Sequence, residues 1–137
     1  MYAESQRATR QLTAADWQRL AASLAQHEAV VAAWIYGSGQ DGMVGPCSDI
    51  DVGVLFAERP TLELLAAVRA AVQAALDYDD VDLVPLNDAS PMLSFAAVCG
   101  RPVFTADKEK AATFVSLTAR EYEDEMAQWR RALGFRA

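Results

Sequence analysis

At 137 residues the chain has room for one domain and little else, which leaves no separate substrate-binding domain beside a catalytic one. Its 53% apolar content supports a packed core rather than disorder, no apolar run approaches the roughly 18 residues of a membrane span, and the polar first residues do not resemble a secretory signal. Twelve basic against nineteen acidic residues give a net charge of −7, which argues against holding nucleic acid by neutralising phosphates.

That excess is local: residues 41–88 hold ten acids and two bases, Arg59 and Arg69, whereas 107–137 hold six of each. Cys47 and Cys99 form neither a metal-type pair nor a disulfide framework, so a cytoplasmic location is expected. Cys99 reads as a small core residue.

Residues 1–12 are polar and read as a flexible arm preceding a single domain over 13–137. Thr13 and Asp16 form a capping box for a helix to about His27, with Trp17, Leu20, Ala21 and Leu24 on one face. Val30–Tyr36 is a continuous apolar run, predicting a buried strand that stops at Gly37. Four of the seven glycines follow within nine residues, at 37, 39, 42 and 45, so this stretch is a loop with at most a short helical turn. A second strand is predicted over Ile50–Phe56, and a helix over Thr61–Leu76 with Leu62, Leu65, Val68, Val72 and Leu76 as its buried stripe. Val81–Leu86 is a third strand. Ser90-Pro91 opens a short helix ending at Gly100, and Arg101–Thr105 adds an edge strand. A long helix from Asp107 to Leu133 carries Phe114, Leu117, Tyr122, Met126, Trp129 and Leu133 at helical spacing, which reads first as core and second as a docking face. The pattern is α/β (α+β), a small mixed sheet with helices packed on it.

Chemistry concentrates in the second and third strands. Alternation along a strand puts Asp49 and Asp51 on one face, roughly 6–7 Å apart along the backbone, and Ile50, Val52, Val54 and Phe56 on the other. Gly53, next on the acidic face, is expected to leave space for a ligand. Asp82 stands between Val81 and Leu83, so neighbouring strands would bring three acids to one patch. No Lys or Arg lies within seven residues of Asp49 or Asp51 to offset their repulsion, which points to a hard, oxygen-liking cation, Mg²⁺. Taken alone, Asp49 also reads as a strand-entry residue and Asp51 as a solvated one. Gly37-Ser38 at a strand end offers N–H groups and a hydroxyl to phosphate oxygens, although the dipeptide also occurs in ordinary turns.

Gly37-Ser38, ten intervening residues, then Asp49-Ile50-Asp51, with Ser48 before the pair and Asp82 on a later strand, resembles the DNA polymerase β-like nucleotidyltransferase superfamily. The resemblance covers about residues 13–133 and is closest in size to the minimal nucleotidyltransferases (MNT) that pair with HEPN-domain proteins. It implies the polymerase β-like fold and transfer of AMP from ATP to a tyrosine of a HEPN ribonuclease toxin, which the MNT partner thereby neutralises as antitoxin. It implies that Asp49, Asp51 and Asp82 are catalytic and hold two Mg²⁺ ions, and that Gly37, Ser38 and Ser48 bind the nucleotide. The partners implied are a HEPN toxin, in a possible hetero-oligomer, and a nucleoside triphosphate, with neither nucleic acid nor membrane contacted directly.

The sequence departs from the family at one position. The family's Gly-Ser-x-Ala-Arg-Gly run carries a base three residues after the serine, where this chain has Asp41. An acid beside a triphosphate disfavours binding, so a second reading is a non-catalytic antitoxin that occludes its partner with a decayed site. A glycosyltransferase built on Asp-x-Asp needs a larger chain.

Overall fold

The computed structural model describes residues 9–46 and 48–134. In chain order it contains β1 (Arg10–Gln11), α1 (Ala14–Ala25), β2 (Val30–Tyr36), β3 (Met43–Val44), β4 (Ile50–Phe56), α2 (Leu62–Leu76), β5 (Val81–Pro85), α3 (Pro91–Val98), β6 (Arg101–Thr105) and α4 (Lys108–Ala132). Short 3₁₀ turns occupy Gly37–Gly39 and Leu86–Asp88.

The main sheet has the order β5-β4-β2-β6. Strand β2 pairs antiparallel with both β4 and β6, and β4 pairs parallel with β5. Both faces of the central strands are covered, which is why β2 and β4 read as near-continuous apolar runs. On one face Leu20 and Leu24 of α1, and Val68, Val72 and Leu76 of α2, pack on Ile35, Ile50, Val52, Val54 and Phe56. On the other, Ala97 of α3 and Ala111 of α4 join Val31, Trp34, Tyr36, Leu55 and Leu86. Each fully buried side chain of this kind contributes about 1.5–3 kcal/mol.

Local chemistry sets the helix ends. Thr13 Oγ accepts from Asp16 N–H at 3.2 Å while the Asp16 carboxylate accepts from Thr13 N–H at 2.8 Å, a complete capping box. Asp16 is only 3% exposed, and its charge is met by Arg10 at 3.0 Å and by Arg19. The side chains of Thr61, Ser90 and Asp107 cap α2, α3 and α4 by accepting one N–H each, without the reciprocal bond of a capping box, and Asp77 ends α2 in the left-handed region. Asn87 clamps the end of β4, its side chain donating to Phe56 O at 2.8 Å and accepting from Phe56 N–H at 3.0 Å.

The sheet refines several sequence expectations. Most of the arm expected over 1–12 lies outside the described residues, but its last part is held: β1 pairs antiparallel with β3, and Leu12 is buried and donates N–H to Gly42 O at 2.8 Å. Leu62 sits at the start of α2, before the helix reaches the sheet, and is exposed rather than core. Cys99 is exposed because it terminates α3. On α4 the core reading holds for Phe114, Tyr122 and Met126, which are partly buried, and not for Leu117, Trp129 and Leu133. Phe114 packs near Trp34 with ring centroids 6.2 Å apart, and Tyr122 stacks on Phe95 at 4.0 Å. Leu117, Trp129 and Leu133 stay about half exposed. Among the described residues no helix is long and apolar enough to cross a membrane.

Candidate active site

Sheet register assembles the site. Tyr36 at the end of β2 is opposite Asp51 in β4, and Asp51 is opposite Asp82 in β5. Residues opposite one another on adjacent strands share a face and are separated by about 5 Å. The parallel β4–β5 pairing therefore brings together two acids 31 positions apart in the chain, and Asp49 flanks them from the segment entering β4. Asp51 is half-buried, whereas Asp49 and Asp82 are exposed at the end of the sheet.

The glycine turn borders this row. Gly37 has φ +74°, and a Cβ there would stand 2.8 Å from Asp51 Oδ2, so its lack of a side chain is required twice over. Ser38, exposed, follows in the 3₁₀ turn. Ser48 is half-buried, and its carbonyl accepts the Tyr78 hydroxyl, which ties the segment before Asp49 to the turn before β5.

Gly53 plays a different part from the one expected. A Cβ there would meet Ala97 Cβ at 3.1 Å and Leu86 side-chain carbons at 3.2 Å, so the space beside it is filled by the packing of α3 on the sheet. A cleft of about 420 Å³ opens elsewhere, lined by Asp49, Arg69, Asp80, Val81, Asp82 and Leu83 at the outer edge of β5.

Burial raises the Asp51 carboxyl above the usual carboxylate range, and the neighbouring charges of Asp82 and Asp49 push it further. The Tyr36 phenol is raised by burial first and then by Asp51 and Asp82. None of the three acids takes part in an ion pair among the described residues. Nor are any three His, Cys, Asp or Glu side chains there gathered into a metal-holding group. An Mg²⁺ site is normally completed by waters and substrate phosphates around one or two carboxylates. The all-oxygen donors and uncompensated charge of Asp49, Asp51 and Asp82 fit that mode of binding.

Asp41 acquires a local explanation. Its Oδ1 accepts from Met43 N–H at 3.0 Å, a short-range turn contact of the kind Asp favours, and it leads the chain into β3. Two site neighbours escaped the sequence reading: Tyr78, and Arg69, whose Nε donates to Val81 O at 2.9 Å. Their signals were faint. Tyr78 is an aromatic inside the acidic turn 77–80, and Arg69 is one of two bases in the acidic half.

The polymerase beta nucleotidyltransferase family model matches residues 18–109. No curated protein matches the chain. Among solved structures, a chain of the tri-AMPylated Shewanella oneidensis HEPN toxin in complex with MNT antitoxin superposes with a TM-score of 0.66 at 23% identity, over 86% of this chain and 92% of that one. A chain of a toxin–antitoxin structure with AMP-PNP gives 0.70 at 25% identity, over 85% and 94%. A chain of the toxin–antitoxin MntA–HepT gives 0.66 at 23%, over 86% and 92%.

Proposed function

Because the chain belongs to the polymerase beta nucleotidyltransferase family, we propose that it is a cytoplasmic antitoxin that transfers AMP from ATP to a tyrosine hydroxyl of a HEPN ribonuclease toxin. The observation that carries this reading is the registered row of Asp51 and Asp82 beside the Gly37 turn, with Asp49 at its flank. The similarity to chains from HEPN–MNT complexes, one of them with an AMPylated toxin and another with AMP-PNP, supports the partner and the nucleotide.

The acceptor oxygen attacks the α-phosphorus as the bond to the bridging oxygen of pyrophosphate breaks, and that electron pair leaves with pyrophosphate. Asp82, exposed at the edge of the row, takes the hydroxyl proton. Gly37 and Ser38 present the turn to the β- and γ-phosphates, and Ser48 sits where it lines the approach to Asp49. Asp49, Asp51 and Asp82 would hold Mg²⁺, which supplies charge neutralisation for the triphosphate and the transferring phosphoryl group. Residues 13–137 act here as one minimal transferase domain. The turn contact of Asp41 leaves its negative charge in place, so Asp41 is still the feature that favours the occlusion-only alternative, in which no label is transferred.

The test uses Mg²⁺, α-labelled ATP and a HEPN-domain protein from the same genome. Wild type labels the acceptor, and Asp51→Ala and Asp82→Ala do not, while their circular dichroism stays native. Labelling by a purified Asp51→Ala protein refutes the assignment.

A further inference from the structure

The cleft at the outer edge of β5 shares Asp49 and Asp82 with the nucleotide steps above, but Arg69, Asp80, Val81 and Leu83, which complete its lining, have no role in them. We propose that it is the acceptor subsite, holding a polypeptide segment that presents the nucleophilic hydroxyl, with Arg69 as the residue that binds that segment. This rests on the nucleotidyltransferase reading and adds to it.

Three observations carry it. First, β4 lies between β2 and β5, so the Gly37 turn and the β5 edge flank Asp51 on opposite sides. In an in-line displacement the attacking and leaving oxygens also lie on opposite sides of phosphorus. With pyrophosphate at the glycine turn, the acceptor arrives from the side of Asp82 and the cleft.

Second, β5 is an outermost strand with an open main-chain edge. Asp80 O accepts from Ile50 N–H at 2.8 Å, so alternation turns residues 80, 82 and 84 toward β4 and the main chain of Val81 and Leu83 outward. Val81 is already engaged, its N–H with Asp79 O at 2.9 Å and its carbonyl with Arg69 Nε. Leu83, whose main chain faces outward, is among the residues lining the cleft, and an outward main chain is what an extended peptide would pair with.

Third, the Nε bond anchors Arg69, while its two terminal nitrogens have no protein partner among the described residues, although Asp49, Asp80 and Asp82 line the same cleft. Those donors suit a main-chain carbonyl or carboxylate of the acceptor. An open main-chain edge and free guanidinium donors match an extended backbone and its carbonyls, so the occupant is a polypeptide.

Two-substrate kinetics with α-labelled ATP, Mg²⁺ and the HEPN-domain protein as acceptor test this. Arg69→Gln is expected to raise the KM for the acceptor at least tenfold, with kcat and the KM for ATP within twofold of wild type. Asp80→Trp, which adds bulk at another residue lining the cleft, is expected to raise the KM for the acceptor likewise. An unchanged acceptor KM in both variants overturns the proposal. So does a rise in the KM for ATP in Arg69→Gln, which would assign the guanidinium to the nucleotide. Calorimetric titration of wild type with Mg·ATP, without acceptor, separates the two levels. Binding there with an unaltered acceptor KM sinks the subsite alone, whereas no binding and no transfer sinks the nucleotidyltransferase reading and the subsite with it.

Discussion

Replacing Gly37 with alanine separates the site from the fold more cleanly than removing an acid does. The native φ of +74° lies in the left-handed region, where an alanine costs about 1–2 kcal/mol. The new Cβ would stand 2.8 Å from Asp51 Oδ2, closer than such atoms approach, but the atom it meets is the end of a carboxylate that can swing aside. The backbone term therefore sets the stability loss, about 1–2 kcal/mol, or a melting temperature lower by about 3–8 °C for a chain of this size. The collision falls instead on function, since Asp51 leaves its place opposite Asp82. Urea denaturation and calorimetric titration with Mg·ATP measure the two effects, and affinity is expected to fall at least tenfold. Gly53→Ala is the matched control. Its Cβ meets Ala97 and Leu86 at 3.1–3.2 Å, so overpacking costs about 1–3 kcal/mol while Mg·ATP binding stays within about threefold. Gly37→Ala binding Mg·ATP as wild type does, or costing more stability than Gly53→Ala while sparing binding, would refute the reasoning.

Three further outcomes follow from the same geometry. Asp51→Asn is expected to raise the melting temperature of the metal-free protein at neutral pH, because it removes a half-buried charge beside two like charges, while abolishing transfer; a lower melting temperature contradicts this. Asp16→Ala should destabilise by about 2 kcal/mol through loss of the capping box and its Arg contacts, as read by urea denaturation. The Asp16 carboxyl is held below its usual value, first by the Thr13 backbone N–H, so its stabilisation is present above the unfolded value of 3.8 and is lost as pH falls through the lower folded value. Asp16→Asn should accordingly flatten the acid limb of the stability profile below about pH 4. Tyr78→Phe removes the hydroxyl donated to Ser48 O and is expected to cost about 1 kcal/mol while weakening Mg·ATP binding severalfold, a binding loss that a core defect alone would not produce.

Features set by adjacent residues were fully legible in the sequence. The capping box of Thr13 and Asp16, the Ser90-Pro91 helix entry, the extent of β2 and β4 and the turn at Gly37 follow from propensity, capping and alternation, which act over a few residues. The spacing of Gly37-Ser38 and Asp49-Ile50-Asp51 also carried the family, because one strand–loop–strand unit holds it. What alternation could not tell was the second partner of each surface. Gly53 and Leu62 were assigned from period alone, yet α3 fills the space at one and the helix start leaves the other in solvent. The parallel pairing that sets Asp82 level with Asp51, the reach of Arg69 from α2 to the edge of β5, and the latch from Tyr78 to Ser48 join residues 12 to 31 positions apart. Such contacts depend on strand order and on where helices cross the sheet. Short-range chemistry therefore placed Asp51 and Asp82 on their strands, and only tertiary packing decided which acids meet.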